Sequence, residues 1–414
     1  MNQGTKPDSA RRANSSCPNF VFRSVVFPVR PYFCGWAALL VLLTLNGGAA
    51  KVHQGQYIAY IGTYTNKQSK GIYAFRFDSS TGKLTPMGLA AETTSQDYLA
   101  IHPNQRYLYA VKEGNESRGK NAGSVSAFSI NWTTGKLRLL NDVSSGGPGP
   151  CHLMVDQTGK NVLVANYTGG SLAVLPVKED GSLRDATAFS QHAGSSVNKE
   201  RQEAPHVHCI RTSPDNRFAL AADLGLDEVL VYRFDPARGS LAPNDPQFVK
   251  TAPGAGPRHF AFHPNGKFVY VVNELQCTVS TFSYNVGHGF LKELQAISTL
   301  PDGYKVTKDD SAAEIVVHPS GKFVYSSNRG HDSIAVFAIH STSGTITSVD
   351  RISTQGKTPR GFGIDPTGSY LIACNQESDS LVVFRIDPQT GKLTPTGQKV
   401  TAYTPVDVEF VTVK

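Results

Sequence analysis

The stretch GPRHFAFHPNGKFVYVVNEL, residues 256–275, contains two short β-strand patterns joined by a tight turn. HFAFHP and KFVYVVNE are rich in aromatic and β-branched residues, and PNGK between them supplies turn formers. Arg258 opens the first strand and Glu274 closes the second. Because the strands of a hairpin run antiparallel, these two residues lie at the same end. The stretch therefore predicts a hairpin whose open end carries a cation beside a carboxylate.

The same hairpin pattern recurs along the chain, which is typical of a repeat protein. Besides HPNGK, related turns between strand-like segments are HPNQR, VDQTGK, SPDNR, HPSGK and DPTGS. A second turn, ending in Gly-x-Leu or a similar triplet, alternates with the first. Its seven glycines are Gly82, Gly135, Gly181, Gly239, Gly289, Gly344 and Gly391. Each repeat therefore holds four strands, which we label A to D, in two linked hairpins.

Seven such repeats predict an all-β fold, a seven-bladed β-propeller with four-stranded antiparallel blades over residues 57–414. The first repeat begins at QYIAYIGTYT without an A strand before it, and the chain ends in TPVDVEFVTV, residues 404–413. We expect this C-terminal strand to pair into the first blade and close the ring, which removes free sheet edges. A pair of β-sandwiches or a solenoid is the alternative architecture.

Residues 1–50 form a leader that lies outside the repeats. Its apolar run WAALLVLLTL, residues 36–45, follows an arginine-bearing segment and precedes Gly48-Ala49-Ala50. Ten apolar residues are too few to span a bilayer as a helix, so the pattern predicts a signal peptide cleaved near residue 50. We expect an exported protein, periplasmic or extracellular, without a stable membrane span after cleavage; an uncleaved anchor is the alternative.

Composition excludes several classes of function. The full chain has a net charge of +7, but residues 51–414 hold 35 basic and 32 acidic residues, which gives no basis for a nucleic-acid partner. The cysteines beyond the leader (Cys151, Cys209, Cys277 and Cys374) are far apart and form no CxxC motif. Walker, GxGxxG and GxSxG motifs are absent from the sequence, so we expect no cofactor and no nucleophilic serine.

One face of the predicted propeller gathers the residues with chemical potential. The starts of the A strands, the ends of the B strands and the polar inserts 114–124, 191–203 and 302–310 all fall on that face, where function usually resides. The candidate residues there are His152, His206, His208, Arg258, Glu274, Glu314, Arg329 and Arg360. The histidines of the HP turns, His102, His263 and His318, fall on the opposite face, and we expect them to stabilise turns.

The chemistry of these residues suits a carbonyl substrate. Paired guanidinium groups bind a carboxylate or phosphate and can stabilise an oxyanion, a glutamate near them can activate water, and a histidine can move a proton. His206 and His208 alternate along one strand, so only one need face the channel, and the sequence does not decide which. No carboxylate in fixed spacing supports a metal at this pair, and we expect a metal-independent site. A purely structural Arg258–Glu274 salt bridge is the alternative interpretation.

Several segments in the same order identify a family resemblance: YIGTYT, PCHLMVD, PHVH with ADLGLDEV, GPRH with VVNEL, SNRGHDS and TPRGFGIDPTGSYLIACNQ. The chain resembles the lactonase family of seven-bladed β-propellers, typified by 6-phosphogluconolactonase and carboxy-cis,cis-muconate cyclase. The resemblance implies a site built from Arg258, Glu274, Arg329 and either His206 or His208.

The expected function is hydrolysis of a sugar lactone or related acidic lactone to the hydroxy acid. In this hypothesis Glu274, Arg258, His206 and His208 are catalytic, and Arg329, His152, Arg360 and Glu314 bind substrate. A muconate-type cycloisomerase and a non-enzymatic exported ligand-binding propeller are the alternatives. We expect a small-molecule substrate as the partner, and a monomer or weak homodimer.

Overall fold

The structure is a computed structural model that describes residues 55–113 and 123–413. The predicted leader, residues 1–50, and most of the insert 114–124 lie outside the described residues. Within these two ranges no helix is long and apolar enough to cross a membrane. The described chain folds into seven four-stranded sheets, with one short 3-10 helix at Gln376–Ser378.

Strands are numbered in chain order, and four belong to each blade. Blade 1 holds β1 (Gln56–Thr63), β2 (Gly71–Asp78), β3 (Lys83–Glu92) and the last strand, β28 (Pro405–Thr412). Blade 2 holds β4 (Leu99–Ile101), β5 (Tyr107–Lys112), β6 (Ser124–Ile130) and β7 (Leu137–Ser144). Blade 3 holds β8 (Pro150–Val155), β9 (Asn161–Asn166), β10 (Ser171–Pro176) and β11 (Ala188–Gln191). Blade 4 holds β12 (Val207–Thr212), β13 (Phe218–Asp223), β14 (Glu228–Asp235) and β15 (Ser240–Lys250).

The remaining three blades follow the same order. Blade 5 holds β16 (Pro257–Phe262), β17 (Phe268–Asn273), β18 (Thr278–Asn285) and β19 (Phe290–Ser298). Blade 6 holds β20 (Ser311–Val317), β21 (Phe323–Arg329), β22 (Ser333–Ile339) and β23 (Ile346–Ser353). Blade 7 holds β24 (Pro359–Ile364), β25 (Tyr370–Asn375), β26 (Ser380–Ile386) and β27 (Leu393–Thr401).

The C-terminal strand closes the ring, as the sequence predicts. β28 pairs antiparallel with β1, in register from Tyr57 opposite Thr412 to Gly62 opposite Asp407. Its other side contacts β24 and β4, the inner strands of blades 7 and 2. The predicted seven-bladed fold is confirmed, and the C-terminal strand completes blade 1 as its fourth strand.

The hydrophobic core lies between blades rather than at a single centre. One cluster packs Phe323 and Tyr325 of blade 6 against Phe362, Leu371 and Phe384 of blade 7. The second strand of a blade shows the continuous burial expected of a strand covered on both faces, as β17 does over all its residues. The outermost strands are largely exposed, so each blade changes from apolar to polar from its inner to its outer edge.

The histidines of the HP turns fasten the blades that carry them to the next blade. His263 donates from Nε2 to the carbonyl of Gly321 at 2.9 Å, and His318 does the same to Gly368 at 2.8 Å. Gly321 needs to be glycine, because its φ is +71° and a Cβ would lie 2.8 Å from His263 Cε1. These histidines therefore stabilise the lower face by joining turns of neighbouring blades.

Candidate active site

β-Bulges at the start of five inner strands direct side chains into the central channel. In β12, Val207 pairs with Asp223 and Cys209 with Ala222, so His208 is an extra residue without its own partner. The same shift in register leaves Arg258 in β16 and Arg360 in β24 without an opposite residue on the neighbouring strand. β8 has its bulge at Cys151, and β20 has one between Ala312 and Ile315. A bulge re-aims a side chain at the rim of a sheet, and here its repetition around the ring builds the site.

A cavity of about 260 Å³ opens on the face where the A strands start. Its walls come from blades 2 to 7 and from the loop between blades 3 and 4. The lining residues are Glu113, Gly149, Cys151, Tyr167, Thr168, Arg201, His208, Glu274, Arg329 and Arg360. The volume is close to what a single small molecule requires.

Glu274 lies at the centre of the charged groups, within contact of three arginines. Arg201 Nη2 donates to its Oε1 at 2.7 Å, while Arg258 Nε and Arg329 Nη2 lie 3.0 Å and 3.1 Å from its Oε2. Burial alone would raise the pKa of Glu274, but Arg329 and Arg258 outweigh it and hold the pKa well below its usual range. The carboxylate is therefore ionised near neutral pH and is a weak base.

Arg258 supports Glu274 from behind rather than facing the cavity. Its side chain is only 3% exposed, and Nη1 donates to the carbonyl of Ala313 at 2.6 Å. Arg329 is 14% exposed and lines the cavity wall. The Arg258–Glu274 pair thus serves the structural role of a buried salt bridge and also fixes a carboxylate that the cavity exposes to a ligand.

Arg360 faces a second acidic group across the cavity. Its guanidinium lies 5.4 Å from the ring centre of Tyr64 and interacts with Asp97 and Glu113. Burial, and then the neighbouring Glu113, raise the pKa of Asp97 to about 8 despite Arg360. Burial also raises the pKa of Glu113. Asp97 is therefore largely protonated near neutral pH, because burial and a neighbouring carboxyl group both disfavour its charged form.

The two candidate histidines occupy different places. His208 lines the cavity, and its Nδ1 lies 3.8 Å from Cys151 Sγ. Burial, with Arg258 nearby, lowers the pKa of His208 well below its usual range, so the imidazole is neutral. His206 stacks on the Tyr167 ring at 4.5 Å, outside the cavity wall, and its Nδ1 lies 3.1 Å from the Tyr167 carbonyl. The bulge at position 208 thus presents His208, and not His206, to the cavity.

His152 and Glu314 lie outside the cavity wall, in a buried cluster along the channel. His259 Nδ1 lies 2.9 Å from Glu314 Oε2, and the His152 ring is 4.3 Å from Tyr98 and 5.2 Å from His259. Burial lowers the pKa of both histidines well below its usual range and raises that of Glu314. Of the eight residues predicted from sequence, the structure places His208, Glu274, Arg329 and Arg360 in the cavity wall, with Arg258 directly behind.

Arg201, Asp97 and Glu113 are ionisable residues at the site that were not among the site residues predicted from sequence. Arg201 lies within the polar insert 191–203, which the sequence assigned to this face, but no periodic pattern marks an arginine in a loop. Glu113 stands at the end of a B strand, the position equivalent to Glu274. Among residues 55–113 and 123–413, no three His, Cys, Asp or Glu side chains lie close enough together to hold a metal ion.

Comparisons with known proteins agree with this architecture. The family model described as lactonase, 7-bladed beta-propeller matches residues 58–410. A 6-phosphogluconolactonase of Bacillus subtilis is 40% identical over 310 residues, covering 75% of this chain and 85% of the relative. A 6-phosphogluconolactonase of Formosa agariphila is 35% identical over 311 residues, covering 74% and 86%.

A solved structure gives the same result. The periplasmic gluconolactonase of Pseudomonas aeruginosa superimposes with a TM-score of 0.81 at 36% identity, covering 87% of this chain and 100% of that one. The resemblance drawn from the sequence motifs is confirmed. The chain belongs to the lactonase family of seven-bladed β-propellers.

Proposed function

We propose that this protein hydrolyses a sugar lactone or related acidic lactone to its hydroxy acid. The observation that carries the proposal is one 260 Å³ cavity in which an ionised Glu274, the guanidinium groups of Arg329 and Arg360, and a neutral His208 meet. The names of the B. subtilis, F. agariphila and P. aeruginosa relatives support this class of substrate.

The arginines supply the electrostatic part of the reaction. Arg360 lines the cavity, where its guanidinium group can contact a ligand. Together with Arg329 it holds the lactone carbonyl and stabilises the oxyanion that forms when water adds. Donors fixed in advance where charge develops typically contribute a factor of about 10² to 10³ each to the rate.

His208 is the proton carrier in this proposal. As the water oxygen bonds to the carbonyl carbon, His208 accepts the proton that the water loses. When the bond between that carbon and the ring oxygen breaks, the imidazolium returns the proton to the departing oxygen, giving the hydroxy acid. Glu274 stabilises the imidazolium, because its charge raises the proton affinity of His208. Both oxygens of Glu274 contact arginines, whereas the His208 ring lines the cavity, so the role of base goes to His208 rather than to Glu274 as the sequence suggested.

The test uses the wild-type protein with glucono-δ-lactone and its 6-phosphate, in a pH-stat and corrected for spontaneous opening. Hydrolysis in ¹⁸O-labelled water is expected to place one label in the product carboxylate. Glu274→Gln and Arg258→Ala are expected to lower kcat/KM; unchanged rates in both would remove the mechanism.

Cycloisomerisation of an unsaturated dicarboxylate is a second candidate, favoured by the paired Arg329 and Arg360, which suit two carboxylates. It adds no water, so conversion of cis,cis-muconate to its lactone without solvent oxygen would identify it. Absence of turnover on all these compounds, with retained binding of gluconate, would favour the non-enzymatic ligand-binding propeller.

Export of the protein remains a proposal. The leader pattern of residues 36–50 supports it, as does the periplasmic location in the name of the P. aeruginosa relative. Cell fractionation and N-terminal sequencing of the native protein test it: a mature N-terminus near residue 51 is expected, and an intact leader in the cytoplasm would contradict it. Sedimentation of the mature chain tests the predicted monomer or weak homodimer.

A further inference from the structure

The loop between β11 and β12, residues 192–206, is anchored to buried acids of blade 4. At its start, His192 Nδ1 lies 2.7 Å from Asp223 Oδ2, and both side chains are buried. Further along, Ser196 Oγ donates to Asp227 Oδ2 at 2.6 Å. The fully buried Gln202 donates from Nε2 to Asp227 Oδ1 and to the carbonyl of Leu224, both at 2.8 Å. The loop is therefore held at three points along its length.

Arg201 is placed by this anchorage. It precedes Gln202, whose backbone N–H donates to the carbonyl of Asn198 at 2.7 Å, and its own N–H donates to Asn198 Oδ1 at 3.2 Å. From this closed turn the side chain crosses the cavity to Glu274 in blade 5 and passes Tyr167 of blade 3, with 3.4 Å between Nη2 and the phenol oxygen.

Its contact with Glu274 differs from those of the two strand arginines. Arg201 Nη2 donates an aligned hydrogen bond to Oε1. Arg258 and Arg329 both approach Oε2 at salt-bridge distance, and the Nε atom of each lacks an aligned hydrogen-bond acceptor. Among the described residues, Arg201 is therefore the sole hydrogen-bond donor to Oε1, and together with the two contacts at Oε2 it sets the rotation of the carboxylate about its Cγ–Cδ bond.

We propose that Arg201 is a positioning residue that acts through Glu274 by holding the carboxylate in its working orientation. The inference rests on the proposed lactone hydrolysis. An arginine on a loop can serve in this way only if the loop is rigid, and Gln202 with its bonds to Asp227 and Leu224 provides that rigidity. A misplacement of about 1 Å in such a group can cost on the order of 10² in rate.

A double-mutant cycle tests the proposal, since a residue that acts through another loses its effect when that other residue is absent. Arg201→Ala is expected to lower kcat on glucono-δ-lactone by about tenfold, with KM changed less than threefold, in an otherwise wild-type chain. In the Glu274→Gln background the same change is expected to lower kcat by less than threefold. Equal losses in both backgrounds, or no loss in the wild-type background, would overturn the proposal.

Matched variants separate positioning from general stability. Lys199→Ala alters an exposed cation on the same loop without touching Glu274 and is expected to leave kcat unchanged. Gln202→Ala removes the loop anchor and is expected to reproduce the Arg201→Ala loss, and Arg201→Lys to recover part of it. If the activity of Glu274→Gln is too low to measure above the spontaneous rate, Gln202→Ala and Arg201→Lys take the place of the cycle. A lower Tm of Gln202→Ala without a lower kcat contradicts the proposal. A wild-type protein that is inactive on both lactones would instead contradict the proposed function, and the role of Arg201 that rests on it.

Discussion

Replacing Glu274 by glutamine tests how much the cluster of Glu274 and its three arginines contributes to the stability of the fold. The change keeps shape and volume but leaves the guanidinium groups of Arg258, Arg329 and Arg201 without their shared carboxylate. At the effective dielectric constant of about 20 that suits protein sites, each contact of 3.0–3.1 Å to the two buried arginines is worth on the order of 5 kcal/mol before solvation.

Solvation reduces this gross value. Burying an amide costs several kcal/mol less than burying a carboxylate, so part of the lost attraction is recovered. Removing one partner of a buried ion pair destabilises proteins by about 3–5 kcal/mol, and we expect Glu274→Gln to lower the free energy of unfolding by that amount. The Arg201 contact adds little, because that side chain is 42% exposed.

The chain offers a matched control in Glu377→Gln. Glu377 lies 3.0 Å from Lys67, the same separation, but both side chains are nearly half exposed. Such pairs contribute about 0–1 kcal/mol. Equilibrium urea unfolding followed by circular dichroism compares both variants with wild type. A Glu274→Gln effect below about 1 kcal/mol, or no larger than that of Glu377→Gln, would refute the picture of a buried carboxylate that neutralises several guanidinium groups.

Two further predictions concern burial and close packing. The pKa of Asp97 is raised to about 8, so its contribution to stability is present below its unfolded pKa of about 4 and is lost as pH rises through 8. At about 1.4 kcal/mol per pH unit, the free energy of unfolding of wild type is expected to fall by on the order of 2 kcal/mol between pH 6 and pH 8, relative to that of Asp97→Asn. A difference in unfolding free energy that does not change with pH would contradict this prediction. Gly321→Ala is expected to cost about 2–3 kcal/mol, from its positive φ and from displacement of His263. Gly303→Ala is the control, because Gly303 has a similar φ of +77° and nothing lies within 4 Å of the added Cβ. We expect it to lower the free energy of unfolding by about 1 kcal/mol in the same urea measurement. Equal losses in the two variants would show that the contact with His263 contributes nothing to the cost of Gly321→Ala.

The fold could be predicted from the sequence because its signals are local. Each hairpin carries its own turn residues and strand pattern, and seven copies determine the architecture once the unpaired first and last strands are joined. The meeting of Arg258, Glu274 and Arg329 follows from the same topology, since equivalent strand ends lie at one mouth.

The missed features depend on contacts between blades. A bulge such as that at His208 depends on how β12 pairs with β13, and a period-two reading of PHVHCI cannot locate it. Arg201 reaches Glu274 only because its loop is fixed to Asp227 of the next blade. Neither contact leaves a repeating pattern in the sequence, so the sequence alone predicts neither the orientation of His208 nor the contact between Arg201 and Glu274.

Steady-state hydrolysis of glucono-δ-lactone by His208→Gln and His206→Gln, each checked for an unchanged Tm, tests the proposed active site most directly. His208 lines the cavity and His206 lies behind Tyr167. We expect His208→Gln to lower kcat/KM by at least about 10², the usual contribution of a general base, and His206→Gln to stay within a few-fold of wild type. A larger loss in His206→Gln, or full activity in His208→Gln, would show that the lactone is opened by other groups.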